Sequence, residues 1–386
     1  MKKVLLLAVV LLLALAACGG GDEEADTIKL GGIHDLTGPT SDVSTPYADG
    51  IRDYVKFVNE NGGIDGRELE FMSQDYAYAV DQAEQLYSQY TSKDIVGFQG
   101  WGTGDTEALR GRVAEDKIPF MSASYSAALA DTGEAPYNFL VGTTYSDQFI
   151  VAMQHAKENG ASTVVLMHHD SPFGTSPLED GQAWAAANGM EVIAIPMPGG
   201  TSDFTAQLTQ VADAGAEYII VQNVSSPAST LAKDIDRLGM DVQLVCLNWC
   251  SDELFVELSG DAAEGVISAS PFAFTNSGAA LIEDEIRPYA ESVDKDLDAM
   301  GVHYVQGWVT MRLMVDAVRD VVANGDEVTG EAIRAALEGF SDYSTGDVTT
   351  PLTFTSSDHA GNKALRLYQV KDGQYEQLTD YIEAGN

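Results

Sequence analysis

Short apolar runs alternate with amphipathic helical segments from residue 28 onward, and the alternation starts afresh after residue 145. Residues 28–33 predict a strand. Thr45-Pro46 then offers a helix N-cap with proline at the first helical position, and Tyr47, Ile51, Tyr54, Val55 and Val58 keep helical spacing until Gly62-Gly63 stops them. Further strands are predicted at 68–73, 95–98 and 118–121. Between them lie a helix through Val80, Ala83, Leu86 and Tyr90 and another through Leu109 and Val113. In the second half Ser146 is the expected cap of a helix ending at Gly160, and strands at 163–167, 192–195, 218–221 and 242–247 alternate with helices. Residues 279–339 read as mostly helical, with closing strands at 352–355 and 364–370. Apolar strands separated by helices bury both faces of a parallel sheet, so the expected class is α/β with two doubly wound αβα units.

The first residues decide where such a body works. Lys2 and Lys3 precede an uncharged run from 4 to 17, which is too short to span a bilayer and the right length for a signal-peptide core. Leu15-Ala16-Ala17-Cys18-Gly19-Gly20 resembles a bacterial lipobox, so residues 1–17 are expected to be removed and Cys18 lipidated. Residues 18–26 then form a solvated stalk. No later segment approaches eighteen consecutive apolar residues, so the lipid is the expected membrane attachment. With 59 acidic against 21 basic side chains, the formal charge of -38 argues against nucleic acid or an anionic membrane surface as partner. The acidic surface reads as solvation in a salty medium.

Three motifs carry possible chemistry. Cys246 and Cys250 flank Leu247-Asn248-Trp249; a bridge between them requires a turn there, and a disulfide and two free thiols are both open readings. No second Cys or His pair stands near them at zinc spacing. His168-His169-Asp170 ends a strand, where neighbouring side chains point to opposite faces, so these histidines are expected to be structural. Gly100-Trp101-Gly102-Thr103-Gly104-Asp105 follows a strand and opens a helix, where N–H groups and the Thr103 hydroxyl suit an anion. A dinucleotide loop would need glycine where Asp105 stands. Neither a Gly-x-Ser-x-Gly elbow nor a His-Glu-x-x-His helix occurs, so no enzyme, metal or cofactor is expected.

Several stretches resemble the extracytoplasmic solute-binding proteins of branched-chain amino-acid and amide ABC importers, the Leu/Ile/Val-binding type with a type I periplasmic-binding fold. They are Leu36-Thr37-Gly38-Pro39, the run from Val58 to Arg67 with Asp75 after it, His169-Asp170-Ser171-Pro172-Phe173-Gly174, and the run from Leu258 to Val266. The resemblance implies two lobes joined by three crossovers near 142–145, 271–275 and 365–367, with a ligand in the cleft between them. Lobe one is then 27–142 plus 275–366, and lobe two 143–274 plus 367–386. It also implies a monomer that captures a small-molecule solute and delivers it to an ABC permease and ATPase complex. A ligand-sensing subunit for a membrane receptor is the alternative.

The same resemblance implies the contacts. Thr103 gives a hydroxyl to the ligand carboxylate beside Gly102, and Trp101 lines the side-chain pocket. Ser124 offers backbone and Ser126 a hydroxyl on either side of Tyr125. Phe173 stands where relatives often carry a tyrosine, and it supplies stacking without a hydroxyl. Amino-acid binders place a glutamate for the ligand ammonium where this chain has Pro227, after Ser225 and Ser226. Ser225 joins the candidate contacts, but an ammonium would need Asp75, Asp105, Glu107 or Asp252 as substitute. Tyr76, Tyr145 and Trp249 add possible aromatic walls, which suit an aromatic or keto acid, an amide, or a cation over the rings.

Overall fold

The computed structural model describes residues 27–385. The signal segment, Cys18 and all of the stalk lie outside those residues. Five parallel strands, β1 (Ile28–His34), β2 (Leu69–Asp75), β3 (Gly97–Gly100), β4 (Phe120–Ser122) and β5 (Asn138–Phe139), form a sheet in the order β2-β1-β3-β4-β5. A second sheet follows. Its parallel part is β6 (Thr163–His169), β7 (Glu191–Met197), β8 (Tyr218–Gln222), β9 (Gln243–Cys246) and β10 (Ile267–Ser270). Antiparallel β11 (Ala364–Lys371) and β12 (Gln374–Gln377) extend it to the order β12-β11-β10-β9-β8-β6-β7, and β13 (Ile382–Glu383) pairs with β11. The chain therefore passes between the sheets three times: after Phe139, after Ser270 and before Ala364.

Helices cover both faces of each sheet. In the first, a Cβ on Gly97 would meet Leu30 and Met314, whereas one on Gly31 would meet Phe98, which packs against Tyr87 and Tyr90. One face therefore meets the Leu297–Ala323 helical segment and the other the Val80–Thr91 helix. In the second sheet Val164 and Leu166 belong to one buried cluster and Val165 and Met167 to another, as the two-residue period of a strand dictates. This is the doubly wound α/β class expected from the sequence.

Local boundaries differ in three places. The first helix spans Ser41–Glu60 with Pro46 inside it, so Thr45 is not its cap. The Asp35 carboxylate accepts from Gly38 N, Thr40 N and Thr40 Oγ1, folding 35–40 into a turn that starts the helix earlier. Thr144, not Ser146, caps the Tyr145–Glu158 helix by accepting from Asp147 N at 3.1 Å, while the Ser146 hydroxyl donates to Asp180. Residues 352–355 hold no strand; Leu352 bridges Tyr343 and Thr355 bridges Asp358 as isolated pairs.

Candidate functional site

Parallel strands release their loops at their carboxyl ends, and seven such ends converge on one small cavity of about 10 Å³. Thr40, Tyr78, Trp101 with Gly102 and Thr103, and Ala123 reach it after β1, β2, β3 and β4 of the first sheet. Phe173, Val224 and Trp249 reach it after β6, β8 and β9 of the second, and Tyr145 lines it from the segment between the sheets. A space this size holds about one water molecule. A larger guest enters only if the walls part.

One end of the cavity is hydroxylic. Thr103 begins the Thr103–Asp116 helix, and its Oγ1 lies 2.8 Å from Ser124 Oγ. The Gly102 N–H is already engaged with Tyr76 Oη at 3.2 Å, and that phenol donates to Asp105 Oδ1 at 2.8 Å. A Cβ on Gly102 would fall 2.6 Å from the same phenol oxygen, so only glycine fits where the loop folds over these side chains. Burial pushes the Asp105 carboxyl up to about 7, and its Oδ2 has no hydrogen-bond partner.

Most of the remaining wall is rings, with Thr40, Ala123 and Val224 between them. Trp101 and Trp249 meet edge to face at 4.7 Å, and each is fixed by its indole N–H: Trp101 donates to Thr40 Oγ1 and Trp249 to Tyr145 Oη, both at 2.8 Å. Tyr145 donates in turn to the Ala123 carbonyl and packs edge-on against Phe173 at 5.4 Å. Tyr125 does not line the cavity; it stacks behind Trp249 at 5.9 Å. His303 packs behind the same indole at 4.8 Å, and its Nε2 lies 3.0 Å from Asp252.

Of the residues singled out in the sequence, Trp101, Gly102, Thr103, Tyr145, Phe173 and Trp249 line the cavity. Ser124 sits one bond behind it. Ser126 turns its hydroxyl to Glu107, and Ser225 turns to Asp252 at 2.6 Å. Thr40, Tyr78, Ala123 and Val224 line it without having been singled out, and each follows closely on a strand end. None of Asp75, Asp105, Glu107 and Asp252 lines it. Asp75 accepts from Leu36 N, Thr37 and Ala77 N, and the other three have the partners already given. Pro227 borders a separate surface groove with Pro39 and Met197. The His168 ring bonds the His169 carbonyl and the His169 ring bonds Ser171, so they do not share a ligand position. Among the described residues no group of three or more His, Cys, Asp or Glu side chains is placed to hold a metal ion, and no helix is long and apolar enough to cross a membrane.

Two doubly wound units that share a cavity lined largely by rings between their carboxyl strand ends define a two-lobed solute-binding protein. The chain belongs to the periplasmic binding protein family, which it matches over residues 27–374. It is 20% identical over 317 residues to the leucine-, isoleucine-, valine-, threonine- and alanine-binding protein of Pseudomonas aeruginosa, covering 81% of this chain and 83% of that one. Among solved structures it is similar to a branched-chain amino acid ABC transporter protein from Thermus thermophilus with bound valine. The TM-score is 0.89 at 27% identity, over 93% of this chain and 97% of the other. The fold is also that of a fatty acid ABC transporter substrate-binding protein from Thermomonospora curvata, with TM-score 0.84 at 22% identity over 93% and 92% of the two chains. Family membership places the chain outside the cytoplasm, among the substrate-binding proteins of ABC transporters. Its relatives are binding proteins rather than enzymes.

Proposed function

We propose that the chain, anchored through a lipid on Cys18, captures a small apolar carboxylate or amide and delivers it as a monomer to an ABC permease and ATPase complex. Lobe one (27–142 plus 275–366) and lobe two (143–274 plus 367–386) part by a hinge motion to admit the solute and close against it, with the walls held further apart than the space of about 10 Å³ that they leave here. The observation that carries the ligand class is the composition of the cavity wall. Its polar end is the Thr103–Ser124 hydroxyl pair, its sides are Trp101, Trp249, Tyr145 and Phe173, and no carboxylate faces it among the described residues. Hydroxyls hold a carboxylate or an amide, and rings hold an apolar body. An α-ammonium would be buried there without a counter-charge, a cost of several kcal/mol.

A thermal-shift screen pairs each branched-chain amino acid with its 2-oxo acid and its amide, and adds aromatic acids. The oxo acids, aromatic acids or amides are expected to raise the unfolding midpoint more than leucine or valine does. Tightest binding by leucine or valine would overturn the ligand class and leave the binding-protein assignment standing. Stimulation of the reconstituted permease's ATPase by the loaded protein tests delivery; signalling through a receptor without transport would replace it.

A further inference from the structure

The two cysteines of the described chain flank the turn that carries a wall of the cleft. Cys246 ends β9, and residues Asn248–Cys250 form a single 3₁₀ turn closed by Cys250 N donating to the Leu247 carbonyl at 3.1 Å. The turn reverses the chain onto itself. The Cys250 Sγ reaches the Val221 carbonyl at 3.5 Å and the Leu247 carbonyl at 3.6 Å, and Val221 is the residue paired with Cys246 in the β8–β9 ladder. The next residue, Ser251, donates its hydroxyl to the Cys246 carbonyl at 2.9 Å. The second cysteine is thus folded back over the strand end occupied by the first, which removes the separation that four extended residues would impose. Both thiols are free and fully buried.

We propose that Cys246 and Cys250 are a redox pair that closes to a disulfide as the chain folds outside the cytoplasm, stapling the turn that presents Asn248 and Trp249. Two of the three residues inside the staple reach beyond it. Asn248 Oδ1 accepts from Gln306 Nε2 at 3.0 Å, and Trp249 forms a cavity wall and bonds Tyr145. The chemistry is thiol–disulfide exchange with an exported protein disulfide or a small-molecule disulfide. One cysteine thiolate attacks the incoming S–S bond and releases a thiol, and the second cysteine then attacks the mixed disulfide and releases the other. Two S–H bonds and the incoming S–S bond break, and one S–S bond forms; the electron pair reduces the incoming disulfide to two thiolates, which take up the two released protons through solvent as thiols. Burial, and then the neighbouring Cys250, hold the Cys246 thiol well above its ordinary value, so the finished core is slow to react and exchange belongs to the folding chain.

The test uses the full chain carrying Cys18→Ser, unfolded and refolded either with oxidised glutathione or with a reductant, then denatured in an alkylating reagent and weighed. The oxidised sample is expected to lose both alkylation sites and to be lighter by two hydrogens, while the reduced sample takes up label at both cysteines. The oxidised form is also expected to unfold at the higher temperature, with the Cys246→Ala/Cys250→Ala double variant unfolding like the reduced form or below it. Retention of both thiols after refolding in oxidised glutathione would overturn the proposal. So would glutathione carried on each cysteine in place of an internal bond, or an oxidised form that melts below the reduced one.

Discussion

The carboxylate of Asp42, on the first turn of a helix packed against the first sheet, caps a helix that belongs to the second. Its Oδ2 accepts from Ser226 N at 2.9 Å and from Ser226 Oγ at 2.6 Å, at the start of the Ser225–Leu238 helix, whose own N-cap residue Val224 provides no side-chain acceptor. A carboxylate at a helix N-terminus satisfies an orphan N–H and meets the positive end of the helix dipole. Here the cap comes from the other side of the cleft. It lies two residues from Thr40 on one wall and two from Val224 on the other.

Asp42→Ala is therefore expected to loosen closure without touching the solute. The pair is partly solvated, so the loss is on the order of 1 kcal/mol, or about fivefold in the closed-to-open ratio. Small-angle scattering should give a larger radius of gyration for the variant than for the wild type, and solute affinity should fall by a similar factor. Asp42→Asn keeps an acceptor and should lie between them. Scattering curves identical to wild type for both variants would show that the contact contributes nothing to closure.

Thr103→Val removes the hydroxyl at the polar end of the cavity while keeping the shape of the side chain. For a solute that presents a carboxylate, the lost hydrogen bond to a charged group is worth about 1.5–3 kcal/mol, so affinity should fall roughly 10- to 100-fold in calorimetric titration. The corresponding amide should lose less, because a bond between neutral groups is worth only about 1 kcal/mol. Equal losses for acid and amide would mean that no charge is held at Thr103.

The alternation of strand and helix was legible in the chain because burial on both sheet faces leaves near-continuous apolar strands. β5 and β10 carry no such signal: Asn138–Phe139 is only two residues long, and Ile267–Ser270 is half serine, whereas the equally short β3 and β9 sit in apolar runs. The helix start at Ser41 was hidden because it depends on Asp35 gathering three donors, a contact that outweighs the local signal of Thr45-Pro46. The same division holds at the cavity. Trp101 to Thr103 stand in a recognisable glycine loop, whereas Thr40, Tyr78 and Val224 are ordinary residues made notable only by strand ends that converge in space. Their one sequence signal is position, a few residues beyond a strand.

Two glycines that carry no motif fix how closely the first unit packs. In the Ser41–Glu60 helix a Cβ on Gly50 would run into the Tyr304 carbonyl, and a Cβ on Gly307 would run into the Tyr47 carbonyl of that same helix. The two helices touch backbone to backbone on both sides of the crossing. Gly50→Ala or Gly307→Ala must push them apart, an overpacking cost of about 1–3 kcal/mol that should lower the thermal midpoint by several degrees. Gly111→Ala is the control. It sits in an exposed helical position with open space around the new methyl, and it should be neutral or stabilising.

Asp105 ties stability to pH with a definite sign. Burial raises its carboxyl from 3.8 to about 7, so between those values the folded chain keeps a proton that the unfolded chain has lost. The native state is then favoured at the acid end of that interval and loses this contribution as pH rises through about 7, by on the order of 4 kcal/mol. The orphaned Oδ2 fits a protonated group, while Tyr76 continues to donate to Oδ1. Asp105→Asn, neutral at every pH, should flatten this part of the profile and raise stability at neutral pH relative to wild type. Denaturant unfolding followed at several pH values measures both curves. Parallel curves for wild type and variant would mean that Asp105 folds ionised, and that the space behind Gly102 is wetter than its packing implies.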